Sequence, residues 1–186
     1  MLRAAAVALL ATLVVGCSHS ATSRPAARPP DHAMSQRWAL SDGVVTRAEY
    51  RTAMLRFVSC VRAAGYRVGP LHDSPIDGLT LLYDITPSGP PTRYNTRTDA
   101  CTARHLSLIE ARYVESQHQA MDTSLRRAVS QCLRKRGLRP RESDRSFPDF
   151  LAVSHTGEEK NIVLACVITT THRLFPELPD NITMRG

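Results

Sequence analysis

A repeated cysteine motif is the feature that most restricts how this chain of 186 residues can fold. Residues 60–67 (CVRAAGYR) and 132–139 (CLRKRGLR) share a cysteine, an arginine, a glycine and a second arginine in the same frame, 72 residues apart. In both segments the cysteine lies five residues before the glycine, and another cysteine follows, Cys101 in one half and Cys166 in the other. Repeated segments indicate repeated structural units, so the motif predicts a duplicated helix–strand–helix unit.

The start of the chain has the layout of an export signal. Arg3 supplies a positive charge, residues 4–15 are uncharged and mostly apolar, and Gly16 precedes Cys17. These are the three parts of such a signal. A membrane-spanning helix needs about 20 apolar residues, and this apolar run is shorter. An ordinary secretory signal with an unmodified Cys17 is the alternative prediction.

The sequence Val14-Val15-Gly16-Cys17 resembles the lipobox of bacterial lipoproteins. The resemblance implies that the signal peptide 1–16 is removed, that Cys17 becomes the first residue, and that its sulfur is lipidated, with palmitate among the expected acyl groups. A protein of this kind is held by its lipid on the extracytoplasmic face of the cell membrane.

Four cysteines remain when Cys17 is assigned to the lipid. An even number in an exported chain indicates two disulfide bonds. If the duplication is real, the natural pairs lie within each half, as Cys60–Cys101 and Cys132–Cys166. Four cysteines allow three connectivities, and the sequence alone leaves the other two open. We expect structural cysteines, because the C-x-x-C spacing of thioredoxin-type redox sites is absent.

Composition divides the chain after the signal peptide into a tether, a folded domain and a tail. Residues 17–44 begin with small, polar and proline residues that have little to bury, which predicts a flexible tether. The folded domain is predicted at 45–178, with halves 45–119 and 120–178, and 179–186 form the tail. We predict an α+β fold class: a mainly helical single domain with a small sheet and two disulfides.

Three helices are predicted from capping residues and apolar periodicity. Their expected limits, in chain order, are the capping box Thr46/Glu49 to Gly65, Thr98-Asp99 onward, and Asp122 or Ser124 to Gly137. A glycine just after the last periodic residue is typical of a helix end.

Strands are predicted at 79–85 and 150–153 from their β-favouring residues. The segment 161–174 is ambiguous. Its β-branched residues favour a strand, whereas the two carboxylates before it, Glu158 and Glu159, suit the start of a helix. The duplication would make this segment a helix that carries Cys166.

Three further segments, AEYRTAMLRFVSCVRAAGYRV, DACTARHLSLIEARY and AVSQCLRKRGLRP, extend the resemblance beyond the lipobox. Together they look like a diffuse group of small actinobacterial lipoproteins. The resemblance covers most of the chain after the signal peptide. Its motifs are structural, so it implies no catalytic activity.

No motif of a known catalytic, cofactor or metal site is present. The histidines are scattered: His19, His32, His72, His105, His118, His155 and His172. The chain has no H-E-x-x-H, no G-x-S-x-G and no glycine-rich phosphate loop. Ser88 and Ser154 are interpreted as turn residues. We therefore predict no catalytic residue, no metal ligand and no cofactor.

The chain is basic, with a net charge of +7 that becomes +6 after loss of the signal peptide. A basic surface can attract anionic envelope polymers or lipid headgroups. Four arginines recur in both halves as candidates for an anion-binding face: Arg62, Arg67, Arg134 and Arg139. Arginines at helix ends also interact with terminal carbonyls, and we prefer that interpretation. The interspersed carboxylates favour a mixed-sign surface.

These observations predict a membrane-anchored extracytoplasmic lipoprotein that acts by interaction or binding and not by catalysis. The alternative is a small cell-envelope hydrolase whose site is not visible as a motif, and a solute- or metal-binding module is a third hypothesis. The expected partners are the membrane, through the lipid on Cys17, and an envelope protein or anionic polymer. Nucleic acid is not expected, because aromatic residues for base stacking are sparse.

Overall fold

The computed structural model describes residues 31–182 and 184, which form seven α-helices and four short β-strands. In chain order these are α1 Asp31–Leu40, α2 Arg47–Ala63, β1 Arg67–Val68, β2 His72–Asp73, β3 Leu81–Leu82, β4 Ile85–Thr86, α3 Pro91–His105, α4 Ser107–Glu115, α5 Thr123–Lys135, α6 Phe147–Leu151 and α7 Gly157–Leu174. The strands pair antiparallel, β1 with β4 and β2 with β3. The predicted mainly helical α+β fold is confirmed.

The helix α2 begins and ends where the sequence predicts. The Thr46 side chain accepts from the Glu49 amide, and the Glu49 carboxylate accepts from the Thr46 amide at 2.8 Å. Gly65 follows the helix with φ +94°, a conformation that glycine adopts without strain. One face of α2 is buried, through Tyr50, Ala53, Met54, Phe57, Val58 and Val61.

The end of α5 repeats the end of α2. Gly137 has φ +87°, as Gly65 has φ +94°. The residue after each glycine donates its amide to a carbonyl five residues earlier, from Tyr66 to Val61 at 3.3 Å and from Leu138 to Leu133 at 3.0 Å. This 6→1 hydrogen bond is that of a Schellman motif. Tyr66 and Leu138 are both buried, so the repeated sequence motif corresponds to a repeated helix end.

Each of two hydrophobic clusters contains one disulfide bond. Cys60 of α2 is bonded to Cys101 of α3, with Cα atoms 5.7 Å apart, and Cys132 of α5 to Cys166 of α7, with Cα atoms 5.8 Å apart. Both predicted pairs are confirmed. The first cluster contains residues of the helices α1, α2, α3 and α4 and of the strands. The second cluster contains residues of the helices α5, α6 and α7. We call these parts the first and the second half of the structure.

The loop between β2 and β3 connects the two halves. Ile76, in this loop, packs in the second cluster. The Asp122 amide donates to the Pro75 carbonyl at 2.8 Å, and the Ala120 amide donates to the Asp77 carbonyl at 3.0 Å. One apolar side chain and two backbone hydrogen bonds therefore tie the loop to the segment that begins the second half.

The strand predicted at 150–153 is wrong, because this region contains the end of helix α6. Ser146 and Asp149 form a capping box that starts the helix, and Phe147 and Phe150 are both buried in the second cluster. Capping and burial outweigh the β-propensity of these residues. Among the described residues the second half has no strand, so the duplication covers the helix ends and the disulfides but not a complete helix–strand–helix unit.

The helix start predicted at Thr98-Asp99 is also wrong. The helix α3 begins at Pro91, and the Thr98 hydroxyl donates to the Tyr94 carbonyl inside it at 3.0 Å. Proline suits the first helical position because its missing N–H would have no partner there. The third predicted start is confirmed, since the Asp122 side chain accepts from two amides of the first turn of α5.

The segment 161–174, which the sequence left open, is helical and belongs to α7, which begins at a capping box formed by Thr156 and Glu159. The single strand predicted at 79–85 is instead two short strands, β3 Leu81–Leu82 and β4 Ile85–Thr86, which pair with different partners.

The tether predicted at residues 17–44 extends too far towards the C-terminus. Residues 31–40 form α1, in which Gln36 is fully buried. The signal peptide 1–16, Cys17 and residues 18–30 lie outside the described residues. The other predicted limits, including the tail 179–186, stay predictions.

The buried Gln36 explains why α1 joins the fold. Its Oε1 accepts from the amides of Leu108 and Ile109 at 3.0 and 3.1 Å, and its Nε2 donates to the Ala103 carbonyl at 2.7 Å. These groups flank Leu106, where the chain breaks between α3 and α4. The first amides and last carbonyls of a helix lack partners within that helix. One side chain of α1 therefore caps both helices.

Breaking the second disulfide should destabilise the chain. A Cys132→Ala/Cys166→Ala variant lacks the crosslink between two positions that are 34 residues apart in sequence. The loop-entropy model predicts that such a crosslink raises the free energy of unfolding by about 4 kcal/mol. Guanidinium unfolding followed by circular dichroism would measure the loss. Ser59→Ala, at an exposed position next to the other disulfide, is the control. A loss below about 1 kcal/mol would contradict the expectation.

Gln36→Ala should lower the free energy of unfolding by about 2–4 kcal/mol, because it leaves two amides and one carbonyl at a buried helix junction without partners. Urea unfolding gives the value. Met34→Ala changes a 53% exposed residue of the same helix and should alter the free energy by less than about 0.5 kcal/mol. Equal effects of the two substitutions would show that Gln36 does not stabilise the junction.

Candidate functional site

A polar cleft lies beside β3 and β4, with a volume of about 320 Å³. Residues 80–85 line it together with Tyr94 of α3, Glu110 of α4 and Asn181. Chain segments that are far apart in sequence therefore meet around one opening. We call it the β3–β4 cleft.

The buried side chain of Tyr50 connects two parts of this cleft. Its hydroxyl donates to Glu110 Oε1 at 3.0 Å and accepts from the Leu81 amide at 3.0 Å. Burial, followed by the nearby Glu110 charge, raises the pKa of Tyr50 far above its ordinary value. Tyr50 is therefore a neutral hydrogen-bond donor at physiological pH.

A second tyrosine fixes the ring of Tyr50. The rings of Tyr50 and Tyr113 stack with centroids 4.8 Å apart. Arg47 donates to the Tyr113 hydroxyl at 3.1 Å and to Asp73 Oδ1 at 2.6 Å. The hydrogen bond to Tyr113 contributes most to raising the pKa of Arg47. This network links α2, α4 and β2 and thereby holds the ring of Tyr50 in place beside the cleft.

The solvent-exposed side of α5 is basic. The helix buries Leu125, Val129 and Leu133, so its polar side chains are left on the opposite side. We define the α5 basic face as the basic side chains of this helix and the segment after it that line the neighbouring grooves: Arg126, Arg127, Arg134, Lys135, Arg136 and Arg141. Arg126 is half-buried, and the other five are exposed.

A groove lies on each side of α5. The groove towards α7 has a volume of about 280 Å³, and Lys135, Arg136 and Arg173 line it. The other groove has a volume of about 350 Å³, and its charged lining consists of Arg126, Arg127, Arg134, Arg141, Glu142 and Asp144. Basic groups therefore flank the helix on both sides.

The positive charge of the chain is concentrated around this helix. Residues 126–145 contain eight basic and two acidic side chains, a net charge of +6 against +7 for the whole chain. None of the six residues of the α5 basic face forms an ion pair with another of residues 31–182 and 184, and the ion pair between Arg47 and Asp73 lies in the first half. The α5 basic face is therefore not neutralised by salt bridges within the part of the chain that the structure describes.

The four arginines singled out in the sequence do not form one site. Arg62 and Arg67 lie in α2 and β1, whereas Arg134 and Arg139 lie at the end of α5 and just after it. Arg62 donates to the Val68 carbonyl at 2.9 Å, a structural contact with strand β1 and not with a terminal carbonyl of α2. Arg134 belongs to the α5 basic face.

The repeat did not reveal Arg126 and Arg127 of the face, or Arg173 in the groove beside it. A local charge count could have found the first two, because the overall charge mixture hides the excess in 126–145. Arg173 is brought to the groove by the packing of α7 beside α5. The sequence alone contains no signal for that contact.

The predicted polar candidates are dispersed in the structure. The Ser154 hydroxyl donates to the Leu151 carbonyl at 2.6 Å, as expected of a turn residue, and Ser88 is exposed before α3. Burial, followed by the charge of Arg104, lowers the pKa of His105. Over residues 31–182 and 184, no three histidine, cysteine or acidic side chains are grouped so that they could bind a metal ion.

No model of a protein family matches the chain, and neither curated proteins nor solved structures gave a match to it. Among the described residues, no helix has the length and apolar character needed to cross a membrane.

Tyr50→Phe should lower the free energy of unfolding by about 1–3 kcal/mol, because the Leu81 amide loses its acceptor and Glu110 loses a donor. Thermal and urea unfolding would measure the change. Tyr94→Phe keeps the aromatic contact with Tyr66 and serves as the control, with an expected change below about 0.5 kcal/mol. A Tyr50→Phe protein as stable as the control would contradict the role given to this hydroxyl.

Proposed function

We propose that the protein is a lipid-anchored extracytoplasmic lipoprotein that acts as a non-enzymatic binding protein. The anchor is Cys17, the last residue of the Val14-Val15-Gly16-Cys17 sequence. The membrane is thus one partner, through the lipid, and an anionic polymer or protein of the envelope is the other. The proposal has two parts, the location and the binding role, and different observations support them.

The two disulfides support the location. Each half of the structure has one bond between two helices, Cys60–Cys101 or Cys132–Cys166. Disulfides persist in oxidising compartments and are rare in the bacterial cytosol. This pairing uses all the cysteines after Cys17, which leaves that thiol available for a lipid.

The α5 basic face carries the binding role. Like charges that are gathered without salt bridges repel each other and disfavour the compact state. Such a surface attracts ligands of opposite charge and raises their local concentration. An anionic partner would relieve the repulsion around α5, which is why we assign the protein a binding role.

The position of α1 limits how far the domain extends from the membrane. Residues 18–30 separate Cys17 from the first described helix, α1. Thirteen residues span at most about 45 Å when fully extended. A domain attached in this way stays close to the bilayer and faces polymers in the adjoining layer of the envelope.

The alternative function, a small cell-envelope hydrolase, would use the β3–β4 cleft. Glu110 is a carboxylate at this opening, and it accepts a hydrogen bond from Tyr50. Release of soluble fragments from purified cell wall by the protein, with loss of that activity in Glu110→Gln, would favour the hydrolase over the binding protein.

The anchor can be tested by metabolic labelling with a fatty-acid probe. The wild-type chain should take up the label and fractionate with membranes, and Cys17→Ser should do neither, because the acylated sulfur is absent. Ser18→Ala is the matched control and should keep both properties. Label on the Cys17→Ser protein, or none on the wild type, would refute the lipoprotein proposal.

A further inference from the structure

The α5 basic face is a ridge between two grooves. Arg127 and Arg134 are exposed on the helix, seven residues apart and therefore on the same side of it. The groove towards α7 adds Lys135, Arg136 and Arg173, and the opposite groove adds Arg141 together with the carboxylates Glu142 and Asp144. Positive groups thus continue from one groove, over the helix, into the other.

We propose that this ridge binds a flexible anionic polymer with phosphate groups along its backbone. The inference rests on the proposed binding function and specifies its ligand class. A flexible chain can bend over α5 and place anionic groups in both grooves. A flat bilayer surface would contact the top of the helix and leave the grooves unused.

The chemistry of the face favours phosphate groups. Five of its six basic residues are arginines, whose planar guanidinium groups donate two parallel hydrogen bonds to a phosphate or carboxylate. Ser130 lies in one groove, and Thr169 and Thr170 lie in the other, so hydroxyl groups are available beside the cations. No aromatic side chain is among the described residues that line either groove, which disfavours base stacking and hence single-stranded nucleic acid.

A purely structural role does not account for the face. Cations in the last turn of α5, such as Arg134 and Lys135, do interact favourably with the helix dipole. Arg126 and Arg127 are the fourth and fifth residues of the same helix, where the dipole gives positive charge no stabilisation. The helix dipole therefore accounts for Arg134 and Lys135 but not for Arg126 and Arg127.

A bilayer-inserting role is also disfavoured. Helices that lie in a membrane surface place apolar side chains in the acyl region. The apolar side chains of α5, Leu125, Val129 and Leu133, are fully buried in the protein core. The helix therefore offers charge and hydrogen-bond donors to its partner, and no apolar anchor.

The test compares two double variants of the full chain, each carrying Cys17→Ser so that no acyl anchor contributes. Arg127→Gln/Arg134→Gln removes two charges from the ridge. Arg51→Gln/Arg97→Gln removes two exposed charges from α2 and α3 and is the matched control. Glutamine has nearly the helix propensity of arginine, so both variants should fold. The probe is long-chain sodium polyphosphate, and the readout is the dissociation constant as a function of salt concentration.

The ridge variant should bind polyphosphate more than about tenfold more weakly than the Cys17→Ser parent, and the control less than about twofold more weakly. The dependence of log affinity on log salt should become shallower in the ridge variant alone, because fewer counterions are released. Competition by hyaluronate, a flexible polymer of carboxylates, should be weaker than competition by unlabelled polyphosphate.

Three results would overturn the inference. Equal losses in the two variants would show general attraction to a basic protein. If the ridge variant bound phosphatidylglycerol vesicles more weakly than the parent but kept its affinity for polyphosphate, the ridge would be assigned to a membrane surface. Equal competition by hyaluronate would remove the preference for phosphate. The anchor proposal is tested separately, because the fatty-acid label is measured on the wild-type chain and polymer binding on chains without Cys17.

Discussion

The disulfide bond between two helices is the constraint on which each half of the structure depends. In α2 of the first half and α5 of the second, the helix ends at a left-handed glycine five residues after its cysteine, so the helix end and the crosslink have the same spacing in both halves. The bond holds a long connection closed while a small core forms beside it. The hydrophobic clusters are separate, and small cores contribute limited stability. The crosslinks therefore compensate for the small size of each core.

Local sequence signals predicted the elements whose ends are capped by nearby side chains. The limits of α2 follow from Thr46, Glu49 and Gly65, and the beginning of α5 follows from Asp122. The disulfide pairs followed from the repeat. These features depend on contacts within a few residues, or on a duplication that is visible in the sequence, which is why inspection of the chain could find them.

Features that depend on distant residues were missed. Gln36 lies in a segment that looks like a tether by composition, but its partners at the α3–α4 break are about seventy residues away. At 150–153 the chain ends a helix that buries Phe150 in the second cluster, and these residues do not pair as a strand. Arg173 reaches the groove beside the α5 basic face only because α7 packs beside α5. In each case a tertiary contact determined the outcome, and local propensity did not.

The tie between the halves has a mechanical consequence. Suppose that the membrane holds the N-terminal end of the chain and a polymer holds α5. A force between these two attachment points acts on α1 in the first half and on α5 in the second half. It therefore loads the contacts of Pro75 and Asp77 with residues 120–122. Each half is braced by its own covalent crosslink, whereas the β2–β3 loop contributes only two backbone hydrogen bonds and the side chain of Ile76 to the connection between the halves, and Asn181 adds a contact beside the β3–β4 cleft. Under load the molecule would yield there first, as a hinge that opens and recloses while both crosslinked halves stay folded.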